Sequence, residues 1–84
     1  MKTLEFNHIY YDKRGNEYCE NNQGWSWYLY EDGIMQCSGE TQVSATTPIG
    51  WAHVAHSALG YLPDRITVSP DRKTHRTWLR DEDY

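Results

Sequence analysis

Two histidines three residues apart, His53 and His56, are the pair in this chain whose spacing could most directly support chemistry. On a helix, that separation brings two imidazoles together, where they could share a metal ion or transfer protons. Cys19 and Cys37 would complete a set of two thiolates and two imidazoles. Neither cysteine has the nearby second cysteine that familiar zinc sites have. We therefore expect an ordinary helix surface here, with no metal site and no cofactor.

The sequence contains none of the compact motifs of enzyme chemistry. It has no phosphate-binding glycine loop and no nucleophile elbow. Acidic residues are plentiful, but no two of them are placed where different pKa values could be argued. Ser57 shares a predicted helix with both histidines, and a regular helix is a poor setting for a nucleophile. We predict that the protein is not an enzyme.

Tyrosines provide the strongest candidate for a binding surface. Tyr28 and Tyr30 lie two residues apart in a stretch that is typical of a β-strand, so both point to the same face. Tyrosine is enriched at protein interfaces because it combines rigid contact area with a hydroxyl. We predict that a partner protein binds this surface, and the candidate contact residues are Tyr10, Tyr18, Tyr28, Tyr30, Glu31 and Asp32.

The same tyrosines also fit three arrangements that need no foreign partner. The rings could form cross-strand pairs, with Tyr11 also a neighbour, that only stabilise the sheet. The first predicted hairpin could curl over them. The face could also be buried in a two-fold homodimer, as uncovered aromatic faces commonly are.

A basic segment near the C-terminus is the second candidate surface. Residues 64–80 carry five cations and two acids, whereas residues 1–63 carry three cations and seven acids. Cations beside Trp78 would suit nucleic acid, since they neutralise phosphates while a ring stacks on bases. The candidates are Arg65, Arg72, Lys73, Arg76 and Arg80 within 65–80. The alternative is a charged edge that prevents aggregation. With a net charge of −4, nucleic-acid binding ranks second.

All these residues must be positioned by one very small domain. The chain has 84 residues, and we predict a single compact domain over 1–84 that ends in a short acidic tail at 81–84. Hydrophobic residues make up 38% and aromatic residues 14%. Because each ring buries about 150–250 Å², most rings must fill the core. Trp25, Trp27 and Leu29 alternate with the tyrosines, so we place these three residues in the core.

Local signals define the order of the elements. Asp32-Gly33 predicts a tight hairpin between strands Trp25–Glu31 and Ile34–Ser38. A threonine cap at 46 or 47 followed by Pro48 begins a helix that ends at Gly60. Further strands are predicted over 3–11, 17–20, 65–69 and 73–80. The helix is expected to pack through Trp51, Ala52, Val54, Ala55, Ala58 and Leu59.

These elements predict an α+β fold. We expect a mainly antiparallel sheet built from a four-stranded meander and a C-terminal β-hairpin, with the single helix packed on one face. The sequence has no apolar run long enough to span a membrane and no secretory signal segment. We therefore expect a cytoplasmic protein with reduced thiols, and a disulfide only if the chain is exported by another route.

In size, acidity, aromatic density and lack of catalytic motifs, the chain resembles the compact inhibitors encoded by phages and mobile elements, anti-CRISPR proteins among them. The resemblance is one of overall character and assigns no role to any residue. It implies a viral protein that occupies a binding surface of a host protein, often one made for nucleic acid. Acidic residues could imitate phosphates, although most of them lie at or next to turns: Asp12, Glu17, Glu20, Glu31, Asp32 and Glu40.

Overall fold

The computed structural model describes residues 1–9, 24–71 and 73–84. Within these ranges the chain forms five strands and one helix, which are β1 (Lys2–His8), β2 (Trp25–Glu31), β3 (Ile34–Thr41), α1 (Pro48–Leu59), β4 (Arg65–Ser69) and β5 (Arg76–Leu79). The strand predicted over 17–20 lies outside the described residues, as do Tyr10, Tyr11, Tyr18, Cys19 and Arg72.

The five strands form one mixed sheet in the order β3-β2-β1-β4-β5. β1 is antiparallel to β2 and parallel to β4, and β4 pairs antiparallel with β5. The α+β class with one helix is therefore confirmed, and so is the C-terminal hairpin. The parallel pair departs from the predicted meander. The helical crossover before β4 makes a parallel return to β1 possible, and β1 is the strand that carries the fully buried Leu4 and Phe6.

The hairpin of β2 and β3 forms where Asp-Gly predicted it. Asp32 and Gly33 both have positive φ, at 52° and 84°, which a two-residue type I′ turn requires. Glu31 pairs with Ile34, and the register shifts between Leu29 and Tyr30. The turn and β2 are confirmed, and β3 runs three residues past the predicted end at Ser38, to Thr41.

The ends of α1 are fixed by local capping. The Thr47 hydroxyl accepts a hydrogen bond from the Gly50 amide at 3.0 Å, and Pro48 occupies the first turn, where its missing N–H costs nothing. Gly60 has a φ of 82° and donates its amide to the His56 carbonyl, which is the usual left-handed termination. The predicted helix bounds are confirmed.

The core lies between α1 and one face of the sheet. Trp51 is its centre, with its ring 4.7 Å from Phe6 and 4.6 Å from Trp25, measured between ring centroids. The other buried members come from β1, β2, α1 and β4: Leu4, Leu29, Ala52, Val54, Ala55, Ile66 and Val68. Ala58 was predicted to join them but is exposed, because it borders an open groove between α1 and β3.

The C-terminal residues fold back on the sheet. β5 is shorter than predicted, and Asp83 accepts a hydrogen bond from the Leu79 amide at 2.8 Å. The Tyr84 hydroxyl donates to the Pro63 carbonyl at 2.7 Å, and its ring packs against the core. Residues 81–84 are therefore anchored by their backbone and by one aromatic ring.

Candidate functional site

The helix-free face of the sheet carries the predicted tyrosines. Tyr28 lies between Glu5 on β1 and Ser38 on β3, and Tyr30 lies between Thr3 and Met35. Their neighbours along β2, Trp25 and Leu29, are buried against α1, so the alternation sends both tyrosines away from the helix. We call Tyr28, Tyr30 and Met35 the tyrosine patch.

The tyrosine patch combines apolar surface with unused hydrogen-bonding groups. Both rings are half-buried, and Met35 is 54% exposed. Neither tyrosine hydroxyl makes a hydrogen bond to any part of the chain that the structure describes. A partner could therefore cover the rings and also satisfy the two hydroxyls.

The two predicted acidic contacts, Glu31 and Asp32, lie at the end of β2 and in its turn. Both are exposed, and Asp32 accepts a hydrogen bond from the Met1 ammonium at 2.6 Å. Glu40 on β3 is also exposed and forms no ion pair within the described ranges. Acidic charge thus lies at Glu40 on β3 and at the β2–β3 turn, where the Met1 ammonium offsets that of Asp32.

The described basic residues do not share one surface. Arg65 pairs with Leu79 and points with Thr67 to the helix-free face, whereas Arg76 pairs with Val68, whose side chain faces the core. Arg80 forms an ion pair with Asp64 at 2.7 Å. The alternation of β4 and β5 therefore divides the cations that were predicted to act together.

The turn between β4 and β5 is held by an acid. Asp71 accepts hydrogen bonds from the amides of Lys73 and Thr74, both at 2.7 Å, and these bonds lower the pKa of its carboxyl. The Lys73 side chain is exposed. Next to the turn, the Ser69 hydroxyl is hydrogen-bonded to His75 Nδ1 at 2.7 Å.

A groove of about 490 Å³ lies between α1 and β3, on the helix side of the sheet. Its wall on the sheet is Trp27, and His53 and Ser57 line it from the helix. We call it the Trp27 groove. Its full lining is Trp27, Glu40, Thr41, Val43, Ser44, Ala45, Gly50, His53, Val54, Ser57 and Ala58.

The groove exists because Trp27 extends over β3 instead of entering the core. Trp25 is only 5% exposed, whereas Trp27 is half-buried and packs at the margin of the core. Its indole lies over Gly39, at which a Cβ would be 2.5 Å from Cζ2. The prediction that Trp27 is a core ring is therefore correct only in part. The missed signal was Gly39, because a glycine inside a strand often marks a close approach.

Strand β3 forms one edge of the sheet and pairs only with β2 among the described strands. Six of its eight residues are exposed, and Ile34 is 68% exposed. The strand contains no lysine, arginine or proline, and Glu40 is its one charged residue. It lacks the cations and prolines that commonly protect edge strands.

The two histidines lie on the exposed side of α1, as predicted. His53 and His56 line a second, shallower depression of about 380 Å³ together with Ile49, Ala52, Leu62 and Tyr84. No group of three or more metal-binding side chains occurs within residues 1–9, 24–71 and 73–84. Cys37 is a free, exposed thiol on β3, and its predicted counterpart Cys19 lies outside these ranges.

Among the residues that the structure describes, no helix has the length and apolar character needed to cross a membrane. No protein-family model, curated protein or solved structure matches the chain.

Proposed function

We propose that this protein is a non-enzymatic protein-binding module that uses the tyrosine patch to engage its partner. The observation that carries the proposal is the position of Tyr28 and Tyr30 on the face opposite α1, half-buried and with hydroxyls that bond to no described residue. No described element lies over this face.

Burial of the patch would supply central contacts for a specific complex. Aromatic residues at the centre of an interface can each contribute about 2 kcal/mol or more. Met35 adds adaptable apolar area beside Tyr30. The acids at the rim, Glu31 and Glu40, favour a partner with a basic surface, because complementary charge speeds association and excludes wrong partners.

The mode of action that we propose is inhibition by occupation of a host protein's surface, as in the phage and mobile-element inhibitors that the chain resembles. A basic surface that normally binds nucleic acid fits the acidic β3 side. Mimicry of nucleic acid would be modest, since the net charge is only −4. The inhibitory role and the viral origin remain parts of this proposal.

Binding of nucleic acid by residues 65–80 is the second candidate. The division of Arg65 and Arg76 between two faces, and the ion pair of Arg80 with Asp64, weaken it. A nucleic-acid site would need these cations along one continuous surface.

The test begins with an affinity pull-down from the source-cell lysate, with and without nuclease, and continues by titration calorimetry on the captured partner. Replacement of Tyr28 and Tyr30 by serine should weaken binding at least about a hundredfold while leaving the circular dichroism spectrum unchanged. The matched control reverses charge at Lys73 and Arg76, and it should change affinity less than about threefold.

The nucleic-acid candidate predicts the opposite ranking. Capture that disappears with nuclease, and that is lost in the Lys73 and Arg76 variant but kept in the tyrosine variant, would replace our proposal. Affinity for nucleic acid would then fall steeply with salt.

A further inference from the structure

We infer that the β3 edge and the adjacent Trp27 groove form a second docking surface, for an extended cationic segment of a protein. The segment would pair with β3 as an additional strand and insert apolar side chains into the groove. This inference rests on the proposed function in that the occupant belongs to a protein partner. It uses the outer edge of β3 and the helix side of the sheet, whereas the two tyrosines lie on the helix-free face, and Met35 and Glu40 on β3 border both surfaces.

The backbone of β3 supplies the main-chain contacts. Because β3 pairs only with β2 within the described part of the chain, alternate N–H and C=O groups along its other side can bond to a new strand. The strand runs for eight residues, Ile34–Thr41. Its regular part, residues 37–41, lies on one side of the register shift opposite Leu29 and Tyr30 and can pair with an extended peptide.

The groove supplies a pocket on one face of the new strand. The positions of β3 on the helix side are Cys37, Gly39 and Thr41, which pair with the inward residues of β2. A strand beside β3 would point every second side chain to this same side. There it would meet Trp27, Val54 and Ala58, which line the groove.

Glu40 determines the charge expected on the opposite face of the segment. Glu40 pairs with Ser26, so it alternates with Gly39 and Thr41 and its position belongs to the helix-free side, although the residue also borders the groove at the sheet edge. It has no ion-pair partner among the described residues. A lysine or arginine in a neighbouring strand would form a favourable cross-strand pair with it. The expected segment therefore alternates apolar residues, facing the groove, with basic residues, facing Glu40.

Charge also argues against a second copy of this chain as the occupant. Antiparallel pairing of two β3 strands would bring Glu40 of one copy near the turn of the other, where Glu31 is exposed and Asp32 is paired with the Met1 ammonium. Like charges opposite each other destabilise a strand pair. A basic segment would instead place opposite charges next to these acids.

The test uses a random peptide library, with peptides long enough to span β3, displayed on phage and selected against the full-length protein. Enriched peptides should alternate lysine or arginine with apolar residues and should lack a central proline. The best one, made synthetically, should reduce hydrogen exchange of the β3 amides, and methylation of alternate backbone nitrogens in it should abolish binding. The inference would be overturned if the selected peptides were acidic or proline-rich, or if they shared no consensus sequence.

Variants locate the site and separate it from the tyrosine patch. Glu40→Lys should weaken the peptide about tenfold. Ala58→Phe should block the groove, and His56→Phe, the same ring elsewhere on the exposed side of α1, should not. Tyr28→Ser with Tyr30→Ser should leave peptide binding unchanged.

The outcomes of the two proposals can be told apart. Loss of the captured partner in the tyrosine variant, with no peptide bound at β3, would overturn only the edge inference. Peptide binding at β3 in a protein whose partner tolerates the tyrosine substitutions would overturn only the role of the patch. Strong protection of all β3 amides in the free protein, or a dimer joined through β3, would mean that another occupant holds the edge and would refute the inference.

Discussion

The indole of Trp27 lies across the backbone of Gly39, at a separation that leaves no room for a Cβ on residue 39. A Cβ at that position would stand 2.5 Å from Cζ2 and 2.7 Å from Cε2 of the ring. This contact joins β2 to the edge strand on the helix side of the sheet. It also keeps the ring in the wall of the Trp27 groove.

Replacement of Gly39 by alanine should displace this ring. We expect a loss of about 1–3 kcal/mol in the free energy of unfolding, measured by urea denaturation, together with a red shift of tryptophan emission. Ser38→Ala, at the exposed neighbouring position, should change stability by less than about 0.5 kcal/mol. Equal effects of the two substitutions would show that Trp27 does not depend on residue 39.

The two tryptophans of β2 should differ in their contribution to stability. Trp25→Ala should cost about 3–5 kcal/mol, since this ring is 5% exposed and contacts Trp51 and His8. Trp27→Ala should cost about 1–2 kcal/mol, because the half-buried ring leaves less apolar area to lose. Urea denaturation of both variants provides the comparison. A larger loss at Trp27 would place it in the centre of the core.

Acid should destabilise the protein partly through Asp64. Its carboxylate accepts the Lys2 amide at 2.8 Å and the Arg80 guanidinium at 2.7 Å, and these contacts hold its pKa below the ordinary value of 3.8. A lowered pKa means that the stabilisation is present above pH 3.8 and is lost as the pH falls through the folded-state pKa. Melting temperatures measured from neutral to strongly acidic pH should therefore fall less steeply in Asp64→Asn than in the parent.

The control for Asp64 is Glu82→Gln, because the Glu82 side chain makes no hydrogen bond or ion pair among the described residues. The melting temperature of this variant should fall with decreasing pH as it does in the parent protein. A match between Asp64→Asn and the parent would instead mean that the carboxylate contacts contribute nothing.

Alkaline pH should destabilise the protein partly through ionisation of Tyr84. Burial raises the pKa of its phenol to about 12, and the hydroxyl donates to the Pro63 carbonyl. The stabilisation is present below the ordinary value of 10.0 and is lost as the pH rises towards 12. Tyr84→Phe should lower the free energy of unfolding by about 1 kcal/mol at neutral pH. In this variant the free energy of unfolding should also fall less steeply as the pH rises above 10.0. Ultraviolet titration of the parent should show a late-titrating phenol that is missing in this variant.

The thiols should be free and should hold no metal. In a Cys19→Ser variant, Cys37 should react with a thiol reagent without denaturant, because it is exposed. Titration of the unfolded, unreduced parent should find both thiols. Chelator should leave the melting temperature unchanged, and a large drop would point to a metal site that includes His53 and His56.

Several features could be predicted from the sequence because they depend on neighbouring residues. The turn at Asp32-Gly33 follows from the positive φ that both residues tolerate, and the helix bounds follow from the Thr47 cap and Gly60. The period of two along β2 was enough to send Trp25 to the core and Tyr28 to the other face. None of these features needs information from a distant part of the chain.

The order of the strands and the assembly of the surfaces were decided only by the tertiary structure. Leu4 pairs with Ile66 although the two residues are far apart in the sequence, and burial of apolar surface is non-directional, so it does not specify which strand is the neighbour. The strand order left β3 at an edge, and the register of β4 with β5 placed Arg65 and Arg76 on opposite faces. Trp27 contacts Gly39 because the register of β2 and β3 places them opposite each other. The same register puts the Trp27 ring in the wall of the groove.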